Sequence, residues 1–232
     1  MLHVLFGTSI PGFRCINWRR LSWFHDPPKT FIDADPHNSS RGFFYSHIGW
    51  LLLKKHPDRL EAEKKVDASD LWEDPLVRFQ HMCDPFYAFY IVFFFPGQVA
   101  YYCWGEDYWN GVLVAGSLRY CTVLHITFLV NSAAHLWGDR PYDVISVAAD
   151  NPIVNMLTGG EGWHNWHHKY PFDYAASEFG ITVQFNPSKC IIDTAAALGL
   201  VWGRKRGTSA WAMTRERRMR NQQGGPPSAK VD

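Results

Sequence analysis

Residues 85–104 read PFYAFYIVFFFPGQVAYYCW, a run without a single Asp, Glu, Lys or Arg. A stretch of that length and composition reaches across the hydrocarbon core of a bilayer. Pro96 and Gly97 near its middle predict a kink, which membrane helices tolerate. Residues 110–134 form a second apolar stretch, interrupted only by Arg119 and His125. The connection between the two holds Glu106 and Asp107 but no Lys or Arg. The outer flanks are basic, with Lys54, Lys55, Lys64, Lys65 and Arg78 before and Arg140 after. By the positive-inside rule both flanks are cytosolic and the acidic loop is outside. Two buried helices of a soluble core would give similar runs; the charge asymmetry and the bracketing aromatics favour spans. The expectation is an all-α integral membrane fold, a transmembrane helical hairpin with a cytosolic helical cap.

Composition agrees with a chain that is only partly embedded. Mean hydropathy is −0.23, too polar for a bundle made mostly of spans. Aromatic residues make up 16% of the chain, with 11 Trp, as at a membrane interface. Lys plus Arg is 23 against 22 acidic residues, so charge gives no reason to expect a nucleic-acid partner. The five Cys have no C-x-x-C spacing, which suggests neither a zinc ribbon nor a disulfide framework.

Outside the apolar runs the periodicity is helical. Residues 41–55 predict an amphipathic helix with Phe43, Phe44, His47, Trp50 and Leu51 recurring at helical spacing and Pro57 ending it. Residues 58–76 are charged with both signs, as on a solvated helical face. Residues 188–203 predict another amphipathic helix, followed by Arg204, Lys205 and Arg206, then Arg215, Arg217, Arg218 and Arg220. That basic end suits either anionic lipid or plain solubility.

Chemistry concentrates in GGEGWHNWHHKYPFDYAASE at 159–178. His164, His167 and His168 stand at i, i+3 and i+4, which one helical face presents together. Converging imidazoles suit Fe, Zn, Cu and Ni alike. Asn131 and His135 have the same i, i+4 relation at the end of the second apolar stretch, as a ligand pair or as a polar helix end.

The strings NSAAHLWGDRPYD (131–143) and GEGWHNWHHKYPFDYAASE (160–178) closely resemble the animal stearoyl-CoA-type acyl-CoA desaturases. ADPHNSSRGFFYSHIGWLLLKKHPD (34–58) resembles the stretch after that family's second histidine box. The resemblance runs from about Asp33 to Arg206. It implies the C-terminal part of a four-helix membrane protein of the endoplasmic reticulum, multi-pass with both termini cytosolic. A di-iron centre there uses dioxygen to place a double bond in a fatty acyl-CoA. Electrons come from a cytochrome b-type donor and its reductase. Carried over, His135, His164, His167 and His168 are iron ligands, Asn131 acts through a water, and no catalytic residue is separate from these. Trp50, Lys54 and Lys55 fall where the family contacts CoA, the lysines being equally readable as a solvated helix end. Thr127 falls at the bend of the acyl tunnel, beside a Phe128 where Trp is common.

The organisation expected is an irregular, unrelated or truncated N-terminus (1–32), a cap segment (33–84), the hairpin (85–134) and a cap with the final histidine box (135–206). A basic, then disordered tail (207–232) closes the chain. The family's second box, H-x-x-H-H, would fall on Trp23, Asp26 and Pro27. His37, His47 and His56 belong to other matching strings and are not read as those ligands. The expectation is therefore an incomplete iron centre within these residues. Desaturase function stands beside an inactive alternative, a membrane protein that interacts with intact desaturase as an oligomer.

Overall fold

A computed structural model describes residue 35 and residues 37–64, 67, 69–84 and 86–222. The readings of 1–32 and of 223–232 lie outside the described residues. Among the described residues the structure is all-helical; the only β pairing is isolated bridges, Asp139 with Asp150 and Asp150 with Trp163. The chain divides into two compact units, Met1–Gly138 and Asp139–Asp232.

The first unit opens with a 3₁₀ turn, Ser39–Arg41, and helix α1 over residues 43–52. The middle of α1, Tyr45–Gly49, is wound as a π-helix. It stops at Leu52, short of the Lys55 expected, and Leu53 is extended. The reason is Pro57: its ring would collide with the Leu53 carbonyl in a continuous helix. Pro57 instead opens α2 (Pro57–Glu63), where a first-turn proline loses nothing. Short helices α3 (Ser69–Glu73) and α4 (Pro75–Cys83) follow.

Helices α5 (Phe86–Trp104) and α6 (Tyr108–Leu136) are long and apolar enough to cross a membrane. Gly105, at φ 69°, ends the first, and the Asp107 carboxylate caps the second by accepting from Asn110 N at 3.0 Å. The predicted kink is a change of winding: Tyr90–Phe94 is π-helical just ahead of Pro96. Pro96 has no N–H for the Val92 carbonyl, four residues back, and Arg119 of α6 donates to that oxygen at 2.9 Å. Its Nε donates to Ala115 O at 2.7 Å. An arginine that interrupts the apolar pattern thus satisfies a carbonyl that the lipid could not. The two spans approach through small residues. A Cβ on Gly97 would lie 2.5 Å from Val112, one on Gly116 2.6 Å from Phe93 O, and one on Gly111 3.0 Å from Ala100 Cβ. Close backbone approach of this kind replaces the hydrophobic effect, which lipid removes.

The second unit carries α7 (Pro152–Thr158), α8 (His164–Lys169), α9 (Pro187–Ala197) and α10 (Thr208–Gln222). Asn151 and Asn186 cap α7 and α9 with a proline in the next position. α9 ends before the expected 203 because Gly199 adopts φ 73°. Leu200 N then bonds Ala195 O and Gly199 N bonds Ala196 O, a Schellman ending. Residues 208–222, read as a basic tail, are helical. Trp211 on α10 packs edge-on against Tyr142 in a core with Trp166 and Tyr170.

Candidate metal centre

In the second unit the histidine box occupies α8, which at six residues cannot stabilise itself. Buried polar side chains hold it. Asn165, fully buried, accepts from Tyr142 N (2.9 Å) and Asp143 N (3.0 Å) and donates to Asp143 O and Ala148 O (both 2.9 Å). All four of its hydrogen bonds are therefore made. Asp150 accepts from Asn165 N at 2.8 Å, which puts an acidic group at the N-terminus of α8. Burial pushes Asp150 up to about 6, against the lowering effect of the Asn165 and Trp166 amides. Trp166, with no exposed surface, donates from Nε1 to Asp173 at 3.1 Å. Asp173 also accepts from Gly207 N and Ala175 N and pairs with Arg206. Ahead of the box, Gly162 lies so close to α7 that a Cβ would sit 2.3 Å from Asn155 N.

On that frame His164 and His168 converge, Nε2 to Nε2, at 3.1 Å. Two nitrogens bound to one ion at ~2.1 Å must stand roughly 3.0–3.4 Å apart at angles near 90–110°. The pair fits one ion. His167 behaves differently: its ring stacks on His164 at 5.7 Å and lies 5.9 Å from His168. One helical face presents the three, but only two share a point.

In the first unit Asn131 and His135 flank a break in α6. Regular winding ends at Asn131, Ser132 has φ −110° and ψ −74°, and a final turn runs Ala133–Leu136. His135 is buried and Asn131 half-buried. At 1.5 Å per residue α6 is roughly 43 Å long, against ~30 Å of hydrocarbon, so this end projects past the core when the loop end sits at the other surface. Trp50 is buried against Phe128 and His37, and its Nε1 has no hydrogen-bond partner among the described residues. Lys54 and Lys55 are exposed. Thr127 Oγ1 donates back to Val123 O at 2.9 Å.

No protein-family model matches the chain. Among curated proteins it is 48% identical over 186 residues to stearoyl-CoA desaturase 5 of Bos taurus, covering 80% of this chain and 55% of that one. It is 42% identical to the acyl-CoA Delta-12 desaturase of Tribolium castaneum, covering all of this chain and 64% of that one. An acyl-CoA desaturase of Cyprinus carpio matches at 46% over 80% of this chain and 57% of its own length. The chain belongs to the acyl-CoA desaturase family. It spans about half the length of the curated relatives it matches. With its two apolar helices, this desaturase-family chain is a membrane protein.

Sequence reading found the histidines but not what holds them. Asn155, Asn165 and Asp173 were passed over, although Asn165 stands inside the box and Asp173 in PFDYAASE. It also set His47 aside. In the structure His47 meets Ser132 Oγ at 2.9 Å and His125 Nδ1 at 3.1 Å. Burial, with His125 beside it, lowers the pKa of His47.

Proposed function

We infer that this chain serves oxygen-dependent desaturation of a fatty acyl-CoA at a di-iron site. The observation that carries the reading is the 3.1 Å convergence of His164 and His168 on α8, in a chain 42–48% identical to desaturases. His164 and His168 would hold one iron, and His135 would be an iron ligand as well. His167, displaced from their point, would be an iron ligand as well, with Asn131 acting through a water. Iron, when bound, supplies the oxidising power to take two hydrogens from an unactivated carbon chain with dioxygen. The chain's own residues orient: Asn165 and Asp173 fix α8, and Trp166 closes its back to water.

The exposed Lys54 and Lys55 suit the phosphates of CoA, and the partnerless Nε1 of Trp50 offers a buried donor. Thr127 borders the acyl path. The partners are a cytochrome b-type donor with its reductase and the bilayer of the endoplasmic reticulum, both termini cytosolic. The acidic loop at Glu106 and Asp107 supports that orientation. The test is iron content with product analysis after supplying acyl-CoA, oxygen and reductant. A new double bond that disappears in His164→Ala and His168→Ala is expected. No iron and no product, where an intact relative gives both, would overturn the catalytic reading and leave the interaction with intact desaturase.

A further inference from the structure

The break at Ser132 separates Asn131 from His135, so whatever holds Ser132 aims both. Its own bonds are inadequate for this. Both Ser132 donors turn back on one acceptor, the Phe128 carbonyl, at 3.1 Å from N and 2.8 Å from Oγ. Past the break, His135 N and Leu136 N both take the Ser132 carbonyl at 3.1 Å. A turn wound this way is a hinge unless something outside the helix fixes it.

Helix α1 supplies that support through residues at helical spacing. Phe43 stacks on Trp137, with ring centroids 5.4 Å apart, just past the final turn. His47, one turn on, bonds Ser132 and His125. Trp50 meets Phe128 edge-on at 6.3 Å. Three side chains of α1 therefore touch α6 and its exit from 125 to 137, with the break in the middle. The polar part, His125–His47–Ser132–Phe128 O, ends on a carbonyl that can only accept, so its protons run one way: His125 Nδ1 donates to His47 Nε2, His47 Nδ1 to Ser132 Oγ, and Ser132 Oγ to Phe128 O. His125, an intramembrane histidine with no other assignment, is accounted for as the partner of His47.

We propose that His47 is a positioning residue for the ligand-bearing turn 131–135, held in its ring orientation by His125. Groups behind the ligands commonly change metal affinity 10–100-fold when removed. The metal part of this inference rests on the function proposed above; the clamp itself does not.

The experiment uses the full chain in detergent and two readouts. Amide hydrogen exchange at Ser132, His135, Leu136 and Trp137 is expected to rise at least about 10-fold in His47→Ala, with α7 of the second unit as the unaffected reference. Affinity for Co(II) is expected to fall by about 10-fold or more in the same variant. His47→Asn places an amide where Nδ1 stood, keeping the Ser132 link and losing His125. It is expected to restore Co(II) affinity to within about 3-fold, which a general packing defect would not allow. His47→Ala with unchanged exchange at this turn overturns the clamp; loosened exchange with undiminished Co(II) affinity overturns its role toward the metal. Failure of the unsubstituted chain to take up Co(II) would count against the functional reading, and the exchange arm would then decide the clamp alone.

Discussion

The two units solve the problem of buried polar groups in opposite ways. In the hairpin, backbone groups bond largely within the helices, and the Val92 carbonyl, four residues before Pro96, also takes Arg119 from the facing span. Packing rests on removed side chains, Gly97, Gly111 and Gly116. In the cap, helices are short, and buried side chains with several bonds each do the work: Asn155, Asn165, Asp173 and Asn186. The hairpin is organised by the solvent it sits in, the cap by side chains reaching 20 or 30 residues along the chain. Histidines in the cap are consequently fixed by their frame, whereas His135 of α6 lies beyond the break at Ser132.

The largest effect is expected from Gly162→Ala. Its Cβ would meet Asn155 N, Cα and Cβ at 2.3–2.5 Å, all on α7 and unable to yield. A loss of at least about 3 kcal/mol for the second unit is expected in chemical denaturation, with the hairpin unaffected. Equal destabilisation of both units would erase the distinction between them.

Asp150 sharpens the same contrast through pH. Its folded pKa, about 6, lies above the ordinary 3.8, so the folded state binds the proton more tightly. Stability of the cap should fall as pH rises from about 4 to about 6 and stay level beyond, by roughly 2–3 kcal/mol in all. Asp150→Asn should flatten that slope in pH-dependent denaturation while keeping the acceptor for Asn165 N. A slope that survives in the variant would assign it elsewhere.

For the hairpin, Arg119→Met leaves the Val92 carbonyl without its donor. Membrane hydrogen bonds contribute modestly, so a loss of about 1 kcal/mol in SDS-induced unfolding is expected. An unchanged hairpin would mean that the π-helical winding before Pro96 suffices. The smallest effect belongs to Lys54→Gln with Lys55→Gln: within about 0.5 kcal/mol of unaltered stability, these sites being exposed. A raised KM for acyl-CoA with little change in kcat is expected from the same pair. Unchanged KM would return the lysines to a solvated helix end.

The contrast also explains what the sequence could tell. Spans and the histidine face were legible because hydropathy and i, i+4 spacing are sums over neighbouring residues. Helix ends were readable only where a residue forces them. Gly199 stops α9 six residues early, and Pro57 acts back on Leu53 rather than on its own position. The helical α10 was misread as a tail because its exposed arginines mask Trp211, the residue that docks it. Asn165 and Asp173 went unnoticed because their partners lie up to 34 residues away, where no local pattern records them. Arg119 and His125 looked like interruptions of a span until their partners, Val92 and His47, were in view.

On α8, His164 and His168 are expected to hold one metal ion, with His167 apart from it. Co(II) titration of the full chain, followed by its visible d–d absorption, tests it most directly. An imidazole-ligated Co(II) signal is expected, abolished in His164→Ala or His168→Ala and left largely in place in His167→Ala. The same signal persisting in the His164→Ala, His168→Ala double variant would contradict it.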